Sequence, residues 1–143
     1  MADVKKSVLL GYSARQMYDL VTRVEGYPQF LPWCGGVDVY EKTETLLDAR
    51  IHIHFKGIKQ FFHTRNTQHA PERIDMEFVD GPFRSFHGAW IFTALREDAC
   101  KVEFHLHYEF SSDLLDKLIG PVFGMIASTF VDGFVKRAEQ VYG

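Results

Sequence analysis

The chain has 143 residues, which is enough for one hydrophobic core and too short for two domains of ordinary size. Sixteen Lys and Arg residues against nineteen Asp and Glu residues give a formal net charge of −3. This charge excludes a broadly basic DNA-binding or RNA-binding module, although a local basic patch is still compatible with it. Hydrophobic residues make up 46% of the chain, with 13 Phe among them, so we expect a folded globular protein.

Targeting signals and cysteine usage both favour a cytoplasmic protein. No apolar run approaches the roughly 20 residues that cross a bilayer. The N-terminal run Val8–Leu10 is too short for the core of a signal peptide. Cys34 and Cys100 are too few for a disulfide framework, so we expect two free thiols in a reducing compartment.

Hydrophobic periodicity predicts a strand, a helix, a loop, six strands and a long helix, in that order. Ser13 and Gln16 have capping-box spacing, and Gly120-Pro121 is expected to bend or interrupt the last helix. The predicted ranges are Asp3–Leu10, Ala14–Val24, Tyr27–Gly36, Val37–Glu44, Leu46–Phe55, Ile58–Thr67, Arg73–Val79, Ser85–Leu95, Cys100–Phe110 and Ser112–Tyr142.

Short connections between these strands predict an antiparallel meander. Each strand has one apolar and one polar face, as in a curved sheet that wraps one helix. The sequence therefore predicts one α+β domain over residues 1–143, with a seven-stranded antiparallel sheet around a long C-terminal helix.

Two apolar loops are candidates for the rim of a site. The first carries aromatic residues between two prolines, and the second follows the turn Asp80-Gly81-Pro82. Each can be a structural lid, or it can gate a cavity or contact a membrane or a partner. The residues concerned are Tyr27, Phe30, Leu31, Trp33 and Phe83.

Metal binding and covalent catalysis have little support in the sequence. His52/His54 and His105/His107 each share one face of a strand, but that face is opposite the apolar one and is expected to be solvated. No third ligand stands at zinc-site spacing. Cys34 has no base or oxyanion site that spacing can identify, so no catalytic residue is assigned.

Basic residues cluster in the middle strands, at Lys56, Lys59 and Arg65, with Arg73 further along. An ordinary solvated face explains them. A patch that binds ribosomal RNA or anionic lipid is the functional alternative.

The order of several short motifs resembles the START-like domains of the coenzyme Q-binding family, which is also labelled polyketide cyclase or dehydrase-like and includes the ribosome association toxins of the RatA type. The resemblance covers nearly the whole chain. It is carried by Tyr27-Pro28, Phe30-Leu31-Pro32-Trp33-Cys34, Asp80-Gly81-Pro82-Phe83, Phe55-Lys56-Gly57, Phe62-His63-Thr64 with Asn66, Gly88-Ala89-Trp90-Ile91-Phe92, and the terminal Arg137-Ala138 and Tyr142-Gly143.

The resemblance implies a helix-grip fold of the START/Bet v 1 type, with an apolar ligand tunnel between the sheet and the long helix. Composition alone favours a fully packed core there, and small residues such as Gly88 and Ala127 are the positions that can leave room. The expected lining residues are Phe86, Trp90, Phe92, Phe104, Tyr108, Phe123 and Phe130.

The function implied is the non-enzymatic binding of a hydrophobic small molecule, a ubiquinone-like isoprenoid lipid, in support of respiration. Peripheral contact with the inner face of the bacterial membrane is compatible with this role, and no DNA partner is expected. The RatA-type members imply an alternative, in which the protein binds the large ribosomal subunit and blocks subunit association. An aromatase or cyclase is a third interpretation, disfavoured because the inward positions are mostly hydrocarbon.

Overall fold

The structure, a computed structural model, describes residues 2–143. A 3₁₀ turn at Val24–Gly26 separates the first two of its helices. The strands are β1 (Ala2–Leu10), β2 (Cys34–Lys42), β3 (Leu46–Phe55), β4 (Ile58–His69), β5 (Arg73–Asp80), β6 (Phe83–Arg96) and β7 (Ala99–Phe110). The helices are α1 (Ala14–Thr22), α2 (Tyr27–Phe30) and α3 (Asp113–Tyr142).

The strands form one antiparallel sheet in the order β1-β7-β6-β5-β4-β3-β2, so the first strand lies beside the last. Alternate residues of each strand face inward. In β7 the even-numbered positions from Cys100 to Phe110 are buried, and the odd-numbered positions between them are partly exposed. The predicted helix-grip fold, a curved seven-stranded sheet with a long C-terminal helix in its grip, is confirmed.

The hairpin between β3 and β4 turns on two residues, Lys56 and Gly57, between the register partners Phe55 and Ile58. Both turn residues have positive φ, 51° for Lys56 and 78° for Gly57, as a two-residue hairpin turn with right-handed strand twist requires. The turn therefore holds the Lys56 side chain at the exposed end of the hairpin.

The first helix has the predicted capping box but ends earlier than predicted. The Ser13 amide donates to Gln16 Oε1 at 2.9 Å, and the Gln16 amide donates to Ser13 Oγ at 3.1 Å. The helix ends at Thr22 rather than Val24, because Arg23 has φ −84° and ψ 69°, outside the helical region. The Thr22 hydroxyl donates to the Tyr18 carbonyl at 3.0 Å, a local bond that competes with further helix.

The segment predicted as a loop, Tyr27–Gly36, contains more regular structure than expected. Its first four residues form α2, because proline is tolerated in the first turn of a helix. Strand β2 then begins at Cys34 instead of Val37, since Cys34 pairs with Ile53. A β-bulge after Cys34 accommodates the extra residue.

Helix α3 runs without interruption from Asp113 to Tyr142, with Pro121 inside it. The expected break at Gly120-Pro121 is therefore not observed. The proline is exposed, while Ile119 before it and Phe123 after it are both buried in the core. Packing on both sides keeps the two parts of the helix together despite the lost backbone hydrogen bond.

The expectation that no apolar run approaches membrane-spanning length needs correction for α3. By length and composition alone this helix passes the test, with a mean hydropathy of 1.6 in an 18-residue window that is 33% buried. The core helix of a protein outside the membrane passes the same test, so this is weak evidence for a span. Its apolar side chains from Ile119 to Ala138 pack into the core of the sheet.

Candidate functional site

Aromatic side chains fill the middle of the space between the sheet and α3. The Trp90 ring centroid lies 4.6 Å from that of Phe104, 5.6 Å from Phe130 and 5.3 Å from Phe134. The pairs are tilted or edge-to-face, which are the arrangements that aromatic quadrupoles favour. Trp90 is 2% exposed and Phe104 is 1% exposed. This part of the implied tunnel is therefore solid core.

Beside these rings lies a cavity of about 30 Å³. That is roughly the volume of one water molecule in the liquid, and about a tenth of the smallest ordinary ligand sites. In this conformation the implied tunnel is closed. The side chains around the cavity are all apolar: Trp33, Phe62, Met76, Phe86, Phe104, Leu106, Phe123, Ile126, Ala127 and Phe130.

The structure brings four of the seven predicted lining residues to this cavity: Phe86, Phe104, Phe123 and Phe130. The other three face inward but lie elsewhere in the core. Trp90 is in the aromatic layer, Phe92 packs edge-on against Tyr18 of α1 at 5.6 Å, and Tyr108 packs against Phe123 at 4.8 Å. Alternation gives the face of a residue but not its distance from a cavity.

Three strand residues that border the cavity were not selected from the sequence: Phe62, Met76 and Leu106. Each lies on the inward face of its strand, so the alternating pattern already contained the signal for its direction. The sequence does not show at which position along the strands α3 crosses the sheet, and this position determines which inward residues border the cavity. Trp33, predicted as a gate residue, also borders the cavity from β2's N-terminal side.

Gly88 does not leave room, contrary to the expectation for this position. A Cβ atom there would meet the His105 carbonyl oxygen at 2.7 Å, Met76 Cε at 2.8 Å and Leu106 Cδ1 at 3.2 Å. The neighbouring strands therefore already occupy the space that a side chain would need. Ala127, the other small residue considered, does border the cavity.

A second cavity, of about 10 Å³, lies between α3 and the ends of β3 and β4. It shares Phe123 and Ile126 with the first cavity and is bordered by the partly exposed Ile58 and Phe61. Phe123 and Ile126 therefore lie between the two cavities, and we call these two side chains the partition.

The predicted gate residues close the core rather than stand on the surface. Tyr27 and Leu31 are 3% exposed, Trp33 is 5% exposed and Phe83 is 6% exposed. The Tyr27 hydroxyl donates to the Val21 carbonyl, and burial raises the pKa of this phenol. Only Phe30 of the five keeps partial exposure, with the Arg137 guanidinium 5.2 Å above its ring.

Both cysteines are buried and unlinked. Burial raises the pKa of the Cys34 thiol and of the Cys100 thiol, so the nucleophilic thiolate is disfavoured at both positions. The Cys34 thiol donates to the Gly36 carbonyl at 3.6 Å. These surroundings are typical of structural cysteines.

The histidine pairs lie on the outer face of the sheet, as their alternation predicted. Two of these four histidines contact carboxylates. His52 Nε2 lies 2.7 Å from Asp38 Oδ2, and His107 Nδ1 lies 2.7 Å from Asp3 Oδ1. Within residues 2–143, no three His, Cys, Asp or Glu side chains are grouped so that they could hold one metal ion.

The predicted basic patch divides into two parts. Lys56 and Lys59, which we call the hairpin lysines, are exposed at the β3–β4 turn. Arg65 lies roughly 20 Å further along β4, at about 3.3 Å per residue. Its Nη1 atom is 2.9 Å from Asp48 Oδ2 and 3.6 Å from Glu41 Oε1, so carboxylates compensate its charge.

Replacing Asp48 with asparagine should weaken the dependence of stability on acid pH. The hydrogen bond from His63 lowers the pKa of Asp48 below 3.8, burial opposes this shift, and Arg65 adds to it. A carboxylate whose pKa is lower in the folded state than in the unfolded state stabilises the fold at any pH above its unfolded-state pKa. This contribution is lost as the pH falls through the folded-state pKa. Urea unfolding between about pH 4 and 2 should therefore show a steeper loss for the wild type. The exposed Asp98→Asn is the control, and equal slopes for wild type and Asp48→Asn contradict the assignment.

Comparison with known proteins places this architecture in a family. Residues 10–135 match the sequence model of the family described as polyketide cyclase / dehydrase and lipid transport. The ribosome association toxin RatA of Escherichia coli K12 is 42% identical over 142 residues, covering 99% of this chain and 90% of that protein. The mitochondrial coenzyme Q-binding protein COQ10 homolog B of Xenopus laevis is 27% identical over 145 residues, covering 99% of this chain and 59% of that protein.

Solved structures show the same fold at low sequence identity. A START superfamily protein from Mycobacterium smegmatis has a TM-score of 0.80 at 19% identity, covering 97% of this chain and 98% of that one. The Zhui aromatase/cyclase from a Streptomyces species has a TM-score of 0.86 at 14% identity, covering 99% and 96%. The chain has the START-like fold, and with the match over residues 10–135 and the full-length likeness to RatA it belongs to the polyketide cyclase / dehydrase and lipid transport family.

Proposed function

We propose that this protein binds the large ribosomal subunit in the cytoplasm and blocks subunit association. The observation that carries the proposal is the full-length likeness to RatA, at 42% identity over 99% of the chain. The geometry supports a role for the surface, because the described interior cavity, about 30 Å³, is far below the volume of ordinary ligand sites. We propose binding, and no catalysis, as the activity.

The hairpin lysines are candidate contacts to ribosomal RNA. Both are exposed, and neither forms an ion pair within residues 2–143. Exposed ammonium groups that have no carboxylate partner can neutralise phosphates and release their counterions, although Lys56 Nζ also lies 5.5 Å from the centroid of the Phe55 ring. Arg65 is a weaker candidate, because its charge is already compensated by Asp48 and Glu41.

The purified protein should co-sediment with isolated large subunits in a sucrose gradient and not with small subunits. Reversing the hairpin lysines, as Lys56→Glu with Lys59→Glu, should weaken this binding and lower its salt-dependence slope by about 1 for each lost phosphate contact. The matched control is Lys6→Glu with Lys136→Glu, which changes the net charge equally at two other exposed lysines. Absence of co-sedimentation by the wild type overturns the proposal, and equal weakening in both variants overturns the role of the hairpin.

A second candidate function is the binding of an apolar ligand, a ubiquinone-like isoprenoid lipid that supports respiratory electron transport at the membrane's inner face. This function is supported by the wholly apolar border of the interior cavity and by the partition that separates this cavity from the second cavity of about 10 Å³. The chemistry of these side chains fits a prenyl chain, each CH₂ of which gains about 0.8 kcal/mol on burial. The two cavities, of about 30 and 10 Å³, are far smaller than an ordinary ligand site, so this function requires the core around Phe123 and Ile126 to open.

The test of this second function is a solvent extract of protein purified from its native host, analysed by mass spectrometry and ultraviolet absorbance. A stoichiometric quinone supports it. An empty extract, together with no uptake of quinone from added micelles, removes it. The ribosome proposal does not depend on either result.

A further inference from the structure

A hollow of about 330 Å³ lies on the outer face of the sheet, on the side away from α3. Its floor is Ala89, whose methyl group stands between His105 of β7 and Asp75 of β5 in one cross-strand row. Longer side chains from β1, β5, β6 and β7 surround this small residue. We call this depression over Ala89 the outer-face hollow. It is about ten times larger than the interior cavity and has the size of an ordinary ligand site.

The carboxylates at the rim of the outer-face hollow are already paired. Asp3 Oδ1 lies 2.7 Å from His107 Nδ1, and Asp75 accepts two contacts from Arg73 Nε at 2.9 and 3.1 Å. Three cationic or titratable side chains at the same rim form no ion pair and no side-chain hydrogen bond within the described part of the chain. They are Lys5, His87 and His105. The unpaired groups of the hollow are therefore those that bind an anion.

Two histidine rings form a tilted, closely packed pair beside these groups. The centroids of His87 and His107 are 5.1 Å apart, and their planes are inclined by 35°. Imidazole rings are among the side chains on which unpaired RNA bases stack. Imidazole rings on the outer face next to the unpaired Lys5 ammonium match the two parts of a nucleotide, its base and its phosphate.

We propose that the outer-face hollow binds a nucleotide of RNA, with its base on the His87–His107 pair and its phosphate at Lys5 and His105. This inference rests on the proposed ribosome association and names the chemical group of the ribosome that the protein recognises. A free nucleotide carries the same chemistry, so the test contains both sources.

The test compares the wild type with Lys5→Gln/His87→Ala, using fluorescence anisotropy of a labelled single-stranded RNA of mixed sequence, with AMP as the free nucleotide. The double variant should bind RNA about fivefold more weakly or worse, with a smaller salt slope. Lys101→Gln, which removes a cation on the same face outside the hollow, is the control and should bind like the wild type. Thermal unfolding checks that each variant is folded.

Each result decides the inference. Equal RNA affinity of the wild type and the double variant overturns it, as does failure of the wild type to bind either RNA or AMP. Binding of AMP as tight as that of RNA identifies a free nucleotide as the source of the phosphate. Co-sedimentation with the large subunit separates the two proposals. If the double variant still co-sediments fully, the proposed role of the outer-face hollow is overturned and the ribosome proposal stands. If the wild type does not co-sediment, the ribosome proposal is overturned and the RNA assay decides whether the outer-face hollow binds a nucleotide.

Discussion

Replacing Trp90 with alanine should lower the free energy of unfolding by about 3–5 kcal/mol. Its indole is 2% exposed and packs against Phe104 at 4.6 Å, Phe134 at 5.3 Å and Phe130 at 5.6 Å. Truncation removes the burial of the ring and leaves a hole that surrounding rings cannot fill. Because domains have about 5–15 kcal/mol in total, the variant should be marginally stable.

Urea unfolding followed by circular dichroism measures this effect, and Trp33 still serves as a fluorescence reporter in the variant. Leu95→Ala is the control, because Leu95 is 54% exposed and its loss should change stability by no more than about 0.5 kcal/mol. A loss below about 1.5 kcal/mol for Trp90→Ala would mean that the aromatic layer relaxes around the hole, and that it is not a rigid core.

Replacing Phe123 with alanine should destabilise the protein by about 3–5 kcal/mol and also open its interior. Phe123 is 5% exposed and borders both the cavity of about 30 Å³ and the cavity of about 10 Å³. Without the ring, the two cavities and the ring's own volume should join into one apolar space. Such engineered spaces stay dry and bind small apolar molecules such as benzene.

Added benzene or a short-chain quinone should therefore raise the melting temperature of Phe123→Ala more than that of the wild type, because a ligand that binds only the folded state stabilises it. Phe92→Ala is the matched control. It removes an equally buried ring, 2% exposed, that packs towards α1 and does not border the cavities. Equal ligand-induced shifts in both variants would show that Phe123 is not the partition.

Several features of the candidate sites could be predicted from the sequence because they depend on local periodicity. Alternation identified the inward direction of Phe86, Phe104 and Trp90, since side chains of a strand point to opposite faces in turn. The same pattern correctly placed His105 and His107 on the outer face. It could not tell that Phe104 borders a cavity while Trp90 does not.

The errors have the same physical origin. At Gly88 the sequence shows only a missing side chain, whereas the space is taken by Met76 and Leu106 from the two adjacent strands. Arg65 reads as part of a basic patch until the sheet brings Asp48 to within 2.9 Å of its guanidinium. In each case the deciding neighbour is distant in the chain, so no local pattern contains it.

The amino-acid sequence by itself determined the order of the seven strands with the first and last helices, the inner and outer face of each strand, and an antiparallel sheet around one long helix. These properties follow from backbone geometry, hydrophobic burial and turn residues, which act within a few residues of one another. Only the tertiary structure decided that the interior is nearly filled and that a hollow lies over Ala89 between Lys5 and His87. Cavity volume and charge pairing depend on how side chains from separate strands meet, and register between strands is a property of the folded sheet.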